Sequence, residues 1–255
     1  MTKRLSGANV GVRAAARTRA RAAARRLAAA AFAGSAALTG ALVVVPASTA
    51  GAASSQSPTL SQARKDLLTL ADMPSGWTSA KNTDSNDNNN VGSAQLARCV
   101  GVPKMLVSEN PPSVNSREFQ NAQDTLTVAD NVTVFPSTKN AASEYALSQN
   151  PKLPGCMTAL ASGPLKTKLF GKTPKGTTIG SPLVSAVSAS AFGSGVDGYS
   201  MSVPVTAQGQ TVNVTVTQLD VVKGRLGHQV TFTSFNAPFS LALEQQIMKV
   251  AAGRL

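Results

Sequence analysis

The order of charge along the first fifty residues sets them apart from the rest and decides which part of the chain can contribute to a fold. Eight of the 24 basic residues (Lys3, Arg4, Arg13, Arg17, Arg19, Arg21, Arg25 and Arg26) lie in the first fifty residues, which hold no acid; the first acid is Asp66. An uncharged run from Leu27 to Val45 follows, then Pro46 and the small residues Ala47, Ser48, Thr49 and Ala50. Basic, apolar and small-residue regions in that order form a secretory signal peptide, which takes no part in the mature fold. Residues 1–50 are therefore expected to be removed after Ala50, with cleavage after Ala52 or Ala53 as near competitors. Arg25-Arg26 has the look of twin-arginine export, but alanines follow it and Sec export is the better reading. No cysteine lies near the cleavage site, so a lipidated N-terminus is not expected. The apolar run is long enough to serve as an uncleaved anchor. Its Ala and Gly content and its small-residue exit favour cleavage, so the mature protein is expected to be secreted and not membrane-spanning.

Removing the leader changes the apparent chemistry. The whole chain carries a formal +12, but subtracting the eight leader charges leaves 16 Lys+Arg against 12 Asp+Glu, a net +4. These basic residues are scattered, whereas nucleic-acid binding needs them clustered on one face. Nucleic acid is therefore not an expected partner. Residues 51–58 read as a linker and 59–255 as a single domain of ordinary size. Its two cysteines, Cys99 and Cys156, are expected to form a disulfide in an oxidising compartment. Such a bridge contributes about 3–5 kcal/mol, mainly by restricting the unfolded chain. A metal pair would need further ligands, and the chain has one histidine.

The elements follow from periodicity. Thr59 and Gln62 match a capping box, and Leu60, Ala63, Leu67, Leu68 and Ala71 recur at helical spacing over 60–71, before Pro74 and Gly76. Gln95 to Leu106, with Cys99, reads as a short helix ended by Asn110-Pro111-Pro112. Leu126, Val128, Asp130, Val132 and Val134 alternate with polar residues, a strand or hairpin pattern that Asp130 interrupts. Either Ala129-Asp130-Asn131 turns between two short strands or Asp130 is a semi-buried carboxylate, and the Asp-Asn pair favours the turn. Ser137 or Thr138 begins a helix through Gln149, which Asn150-Pro151 and Pro154-Gly155 terminate just before Cys156. From Leu183 the chain reads as a meander: one strand over Val184–Phe192, a second with Tyr199, Met201, Val203 and Val205, a turn at Gln208-Gly209-Gln210, and a third with Val212, Val214 and Val216. Alternation slips at Gln218-Leu219, which suggests a bulge or bend. Val230 and Phe232 mark the last strand, and Asn236 caps a final helix with Leu243, Ile247 and Val250 on its buried stripe. The sum is an α+β domain: an antiparallel sheet of about five strands, flanking helices and one disulfide.

No catalytic motif emerges. The G-x-S-x-G elbow, S-x-x-K, H-E-x-x-H, C-x-x-C, the phosphate-binding loop and G-x-G-x-x-G are all absent. A Ser-His-Asp hydrolase would depend on His228, with Asp220 on the paired strand, but a surface strand histidine is the simpler reading. The 12 acids include no adjacent pair to suggest glycoside hydrolysis. Asp84, Asn86 and Asn88 have calcium-loop spacing, yet Asn89 stands where glycine is needed and Gln95 where the bidentate Glu should be, so a solvated loop is expected. Lys166, Lys168, Lys172 and Lys175 form the densest mature basic patch, readable as a solvated loop or as a contact for an anionic wall polymer or lipid headgroup. No cofactor is expected.

Leu67-Leu68-Thr69-Leu70-Ala71-Asp72-Met73-Pro74-Ser75-Gly76-Trp77 resembles the opening of many actinobacterial exported proteins. Asn131-Val132-Thr133-Val134-Phe135-Pro136-Ser137-Thr138, with Ala141, Ala142 and Cys156, is similar to the extracellular sensor-like domain of PknH-type receptor kinases and their secreted relatives. The resemblance implies an α+β domain with a cleft for an unidentified ligand. This chain departs in carrying one cysteine pair where the kinase-type domains carry two, and no kinase segment, so signalling through an attached kinase is not expected and no site residue is carried over. The expectation is a secreted, non-catalytic ligand-binding or cell-envelope-associated protein whose partner is an unknown small molecule or envelope component. The alternatives are an extracytoplasmic hydrolase of envelope esters or glycans, with a pocket holding His228 beside an acid and a hydroxyl, and a structural surface protein.

Overall fold

The computed structural model describes residues 58–82, 93–101, 111–163, 175–187, 189–192 and 195–255. The expected leader, the Asn-rich loop with Asp84, Asn86 and Asn88, and Lys166, Lys168 and Lys172 lie outside them. A nine-stranded antiparallel sheet, not one of about five strands, runs through the domain. Its strands are β1 (Thr78–Ala80), β2 (Ser113–Asn115), β3 (Glu118–Gln120), β4 (Leu126–Val134), β5 (Thr177–Ile179), β6 (Leu183–Ala186), β7 (Val196–Ala207), β8 (Gln210–Lys223) and β9 (Leu226–Phe235). The order is β1-β3-β4-β9-β8-β7-β5, with β2 continuing the edge beside β4 and β6 beside β7. The extra strands are segments of three or four residues, too short to display an alternating pattern.

Long, Thr- and Val-rich strands joined by tight turns build the centre. Ala207 pairs with Gln210, so Gln208 and Gly209 form a two-residue turn. Both take positive φ (53° and 71°), which matches the twist of the flanking strands. Gly224, at φ 62°, serves the β8–β9 turn. Gly198 is required for another reason: a Cβ there would lie 1.9 Å from the Gln218 carbonyl oxygen, so any side chain would part β7 from β8.

Both faces of the sheet are covered. Helix α5 (Leu241–Arg254) lays Ile247, Met248 and Ala251 on Val128, Val230, Phe232 and Leu219, and Trp77 and Phe239 close that layer with ring centroids 6.4 Å apart. Helix α1 (Leu60–Asp66) covers Val132 and Val134 on the same face. The opposite face lies under α2 (Ser93–Val100), α3 (Thr138–Ser148) and α4 (Leu153–Ser162). There Val100, Leu153 and Ala161 pack on Val203, Val212, Val214 and Val216. Cys99 of α2 and Cys156 of α4 are joined by a disulfide. Among the described residues no helix is long and apolar enough to cross a membrane.

Several expected boundaries move. Pro154-Gly155 does not end a helix but lies in the first turn of α4, where a missing amide is harmless, so Cys156 sits inside a helix. The expected strand over Val184–Phe192 ends at Ala186 and gives way to a 3-10 turn at Ala189–Ala191. The 60–71 helix stops at Asp66, and a separate 3-10 turn, Leu70–Asp72, follows. Thr59 accepts from the Gln62 amide, but the Gln62 side chain reaches Asp66, so the complete capping box is Thr69 with Asp72. Asn236 has φ 69° and pairs with Asn213 at the end of β9, leaving Ser240 to cap α5. Arg254 then ties α5 to the 3-10 turn through both Asp72 carboxylate oxygens at 2.7 Å. Burial works against ionisation of Asp72, but the Thr69 amide and hydroxyl and the Arg254 guanidinium outweigh it and hold the carboxyl below its usual range.

Candidate functional site

The slip in alternation at Gln218-Leu219 is not a bulge. Pairing of β8 with β7 and with β9 continues in constant register from Val214 to Val221. What changes is the face that carries the apolar residues: Val212, Val214 and Val216 belong to the core under α4, whereas Leu219 and Val221 belong to the core under α5. Gln218 and Asp220 are thereby left on the face covered by α2–α4, where a polar recess replaces the core.

Register assembles the floor of that recess. Asn131 of β4 pairs with Gln229 of β9 and Gln229 with Asp220 of β8, all three lining the recess, while Asp197 of β7, opposite Asp220, lies beside it and outside the lining. Tyr199, two residues beyond Asp197, pairs with Gln218. Tyr145 and Ser148 of α3 form one wall, and Leu96 of α2 with Leu153 and Met157 of α4 form an apolar wall. The cavity volume is about 60 Å³, room for roughly four or five waters or a small molecular head group.

The polar groups form a chain. Tyr199 donates its hydroxyl to Gln218 Oε1 at 2.9 Å. Gln218 Nε2 donates to Asp220 Oδ2 at 3.4 Å, and Gln229 Nε2 donates to Asp220 Oδ1 at 3.0 Å. Gln218 is 1 % exposed, so its amide is fixed in this role. Burial pushes Asp220 up to about 6; the two glutamine amides oppose this and the nearby Asp197 adds to it. Burial also raises Asp197, against the Gly198 amide and the Ser148 hydroxyl. Tyr145 is raised by burial and by the Asp197 and Asp220 charges, so its phenol stays neutral at physiological pH.

Asp220 therefore costs stability. Between its unfolded pKa of 3.8 and its folded value of about 6, the native state holds a proton that the unfolded chain has lost. Stability falls as pH rises through that window, and at pH 7 the ionised carboxylate costs roughly 2 kcal/mol after allowing for solvent in the recess. Asp220→Asn should accordingly raise stability by about 1–2 kcal/mol at pH 7 and change it little at pH 4. Glu244, pushed up to about 7 by burial, titrates over an overlapping range. The Asp220 contribution is thus the difference between wild-type and variant urea titrations at the two pH values.

His228 is not a surface residue. It is 1 % exposed, and its ring projects to the other face of the sheet, where Nε2 lies 2.6 Å from Asp130 Oδ2 and Nδ1 lies 3.2 Å from the Ala251 carbonyl oxygen. Asp130 is not in a turn either, but sits 3 % exposed in the middle of β4. β2 and β3 pair with β4 in registers that differ by one residue, and the irregularity falls at Ser116, whose Oγ accepts from the Asp130 amide at 2.9 Å. The Leu68 amide donates to Asp130 Oδ2 at 3.0 Å. With acceptors at both ring nitrogens, His228 presents no free nitrogen to take a proton from a hydroxyl. The residue borders the recess, but its side chain is fully buried in the pair with Asp130. Among the described residues no cluster of His, Cys, Asp and Glu is suited to a metal ion. Asp197, Tyr145, Gln218 and Gln229 escaped sequence reasoning; the available signal was the slip itself, a polar pair where the alternation demanded apolar residues.

No family model matches the chain, and no curated protein matches it. Among solved structures, the extracellular domain of PknH from Mycobacterium tuberculosis is similar to it over 78 % of this chain and 97 % of that one, with 11 % sequence identity and a TM-score of 0.39.

Proposed function

We propose that the chain is an exported, non-catalytic ligand-binding domain of the cell exterior, with the recess between the sheet and α2–α4 as its binding site. The observation that carries this reading is Asp220: a carboxylate kept in a preformed polar recess at a cost to the fold. Residues that break the rules of stable packing concentrate where function requires them. The leader and the disulfide support an extracellular setting. Glycan hydrolysis draws on one specific observation, the cross-strand pair Asp197–Asp220. That chemistry needs one carboxyl kept protonated and its partner ionised. Here Asp220 lines the recess and Asp197 does not, so a bound glycan would meet one carboxyl, and binding is the better reading.

Two measurements test the proposal. The chain secreted from a Sec-competent host should begin at Gly51, read by intact mass; a mature protein retaining Leu27 to Val45 would instead make it membrane-anchored. Differential scanning fluorimetry of that secreted chain against small-molecule and envelope fractions should return ligands that raise Tm and undergo no turnover. Reproducible turnover that is lost on changing His228 would overturn the non-catalytic reading.

A further inference from the structure

We infer that the recess takes an uncharged ligand that presents an apolar ring or short alkyl chain. This rests on the binding-site reading above and adds the chemical class of the ligand.

The first ground is that the polar floor is closed on itself. Both Asp220 oxygens accept from glutamine amides, Oδ1 from Gln229 at 3.0 Å and Oδ2 from Gln218 at 3.4 Å. Tyr199 gives its hydroxyl proton to Gln218. Asn131 donates to Asn115 Oδ1 at 2.6 Å and accepts from the Thr133 hydroxyl at 2.9 Å. Among the described residues, the buried side-chain oxygens without a partner belong to Asp66, Asp130 and Asp197, none of which lines the recess, and no Lys or Arg lines it. A charged ligand would give up its hydration and meet only a carboxylate that two glutamines already hold.

The second ground is the surface that remains. Leu96 of α2, Leu153 and Met157 of α4, and Pro111 and Phe135 make most of the lining apolar. Leu96 and Met157 are only half-buried, so they keep apolar surface in water that a ring or chain would cover. The cavity of about 60 Å³ admits the end of such a group. Asp220 then links uptake to pH. An apolar group displaces water from its carboxylate, which burial already pushes up to about 6. Uptake is easier with Asp220 protonated, so affinity falls as pH rises through that range. Asp197 on β7 and Tyr145 on α3 are the titratable groups that act on Asp220 or are acted on by it. Asp197, itself raised, titrates in the same direction, and Tyr145 stays neutral. β9 presents the uncharged Gln229, and α2 and α4 present Leu96, Leu153 and Met157.

The test uses the secreted chain with four probes: neutral 2-phenylethanol, neutral 1-hexanol, phenethylammonium and 3-phenylpropionate. Binding is read by calorimetry and by the Met157 methyl signal in carbon-edited NMR. The neutral probes should bind and shift Met157, and the better of the two tells ring from chain. Both charged probes should bind about tenfold more weakly than 2-phenylethanol, because their charge loses its water. Between pH 5 and pH 8 the wild type should lose affinity for the neutral probes by about three- to tenfold, as Asp220 ionises. Asp220→Asn should bind them at least as tightly as the wild type and show a flatter pH profile. Met157→Gln should weaken them several-fold, with circular dichroism and Tm verifying that both variants are folded. Thr206→Ala, on the exposed end of β7, serves as the unaffected control. Tighter binding of a charged probe at Met157, or neutral binding that Asp220→Asn weakens, would overturn the uncharged assignment while leaving the recess as the site. Failure of every probe to move Met157 would count against the ligand class and the recess together.

Discussion

Asp130→Ala should lower the unfolding free energy by about 3–5 kcal/mol, because it leaves two buried groups without their hydrogen-bond partner at roughly 1–3 kcal/mol each. Asp130 and His228 have fully buried side chains 2.6 Å apart, 98 residues from each other in sequence. Removing the carboxylate leaves the His228 Nε2 and the Leu68 amide without their acceptor, in a layer otherwise filled by Val128, Val230 and Ile247. His228→Leu should cost a similar amount, because it strands the carboxylate instead. Asp130→Leu combined with His228→Leu should cost less than the two single changes added together, since no orphaned polar group then remains. Urea unfolding followed by Trp77 fluorescence reports on this layer directly, since Trp77 packs against it. Losses below about 1 kcal/mol in both single variants would show that the pair does not hold β4 to β9 and α5.

The second large effect belongs to the disulfide. Cys99 and Cys156 close a loop with a sequence separation of 57, which corresponds to about 4 kcal/mol of loop-closure entropy. Cys99 is exposed, so reductant reaches the bond without unfolding the domain. The paired change Cys99→Ser with Cys156→Ser should lower the urea midpoint accordingly, and thiol reductant should do the same to the wild type. The consequence extends to function, because α2 carries Leu96 and α4 carries Leu153 and Met157 on the wall of the recess. Ligand affinity should fall in the variant even in buffer where the sheet stays folded. A variant with unchanged midpoint and affinity would mean that helix packing alone positions the wall.

The sequence revealed the parts of this fold that have local causes. The Gln208-Gly209 turn, the alternation in β7 and the first half of β8, and the helix that begins at Thr138 all follow from turn chemistry and periodicity within a few residues. A single pair of cysteines behind an expected leader pointed to the bridge between Cys99 and Cys156. What escaped has causes that are distant in sequence. Asp130 read as a turn because an acid followed by Asn in an alternating run has that local meaning. Its strand position depends on His228, on the Leu68 amide and on the irregularity at Ser116, none of which lies nearby in sequence.

The recess was half legible. The slip at Gln218-Leu219 was visible, but a bulge and an exchange of faces produce the same loss of alternation. Only the pairing of β8 with β7 and β9 distinguishes them. Once the register is known, Asp197, Asp220, Gln218 and Gln229 fall on one face, although the two acids are 23 positions apart and carry no motif. The short strands β1, β2, β3 and β5 were invisible for a simpler reason: three residues cannot establish a period.

The most direct measurement of the binding-site claim uses methionine methyl groups as position markers. Met157 lines the recess, Met201 lies in the core beneath the same helices, and Met248 lies under α5 on the far face. Titrating the secreted, methyl-labelled chain with a ligand that raises its Tm should move the Met157 signal at low occupancy and leave Met248 in place. A shift confined to Met248, or a bound ligand that leaves Met157 unmoved, would contradict the recess as the site of binding.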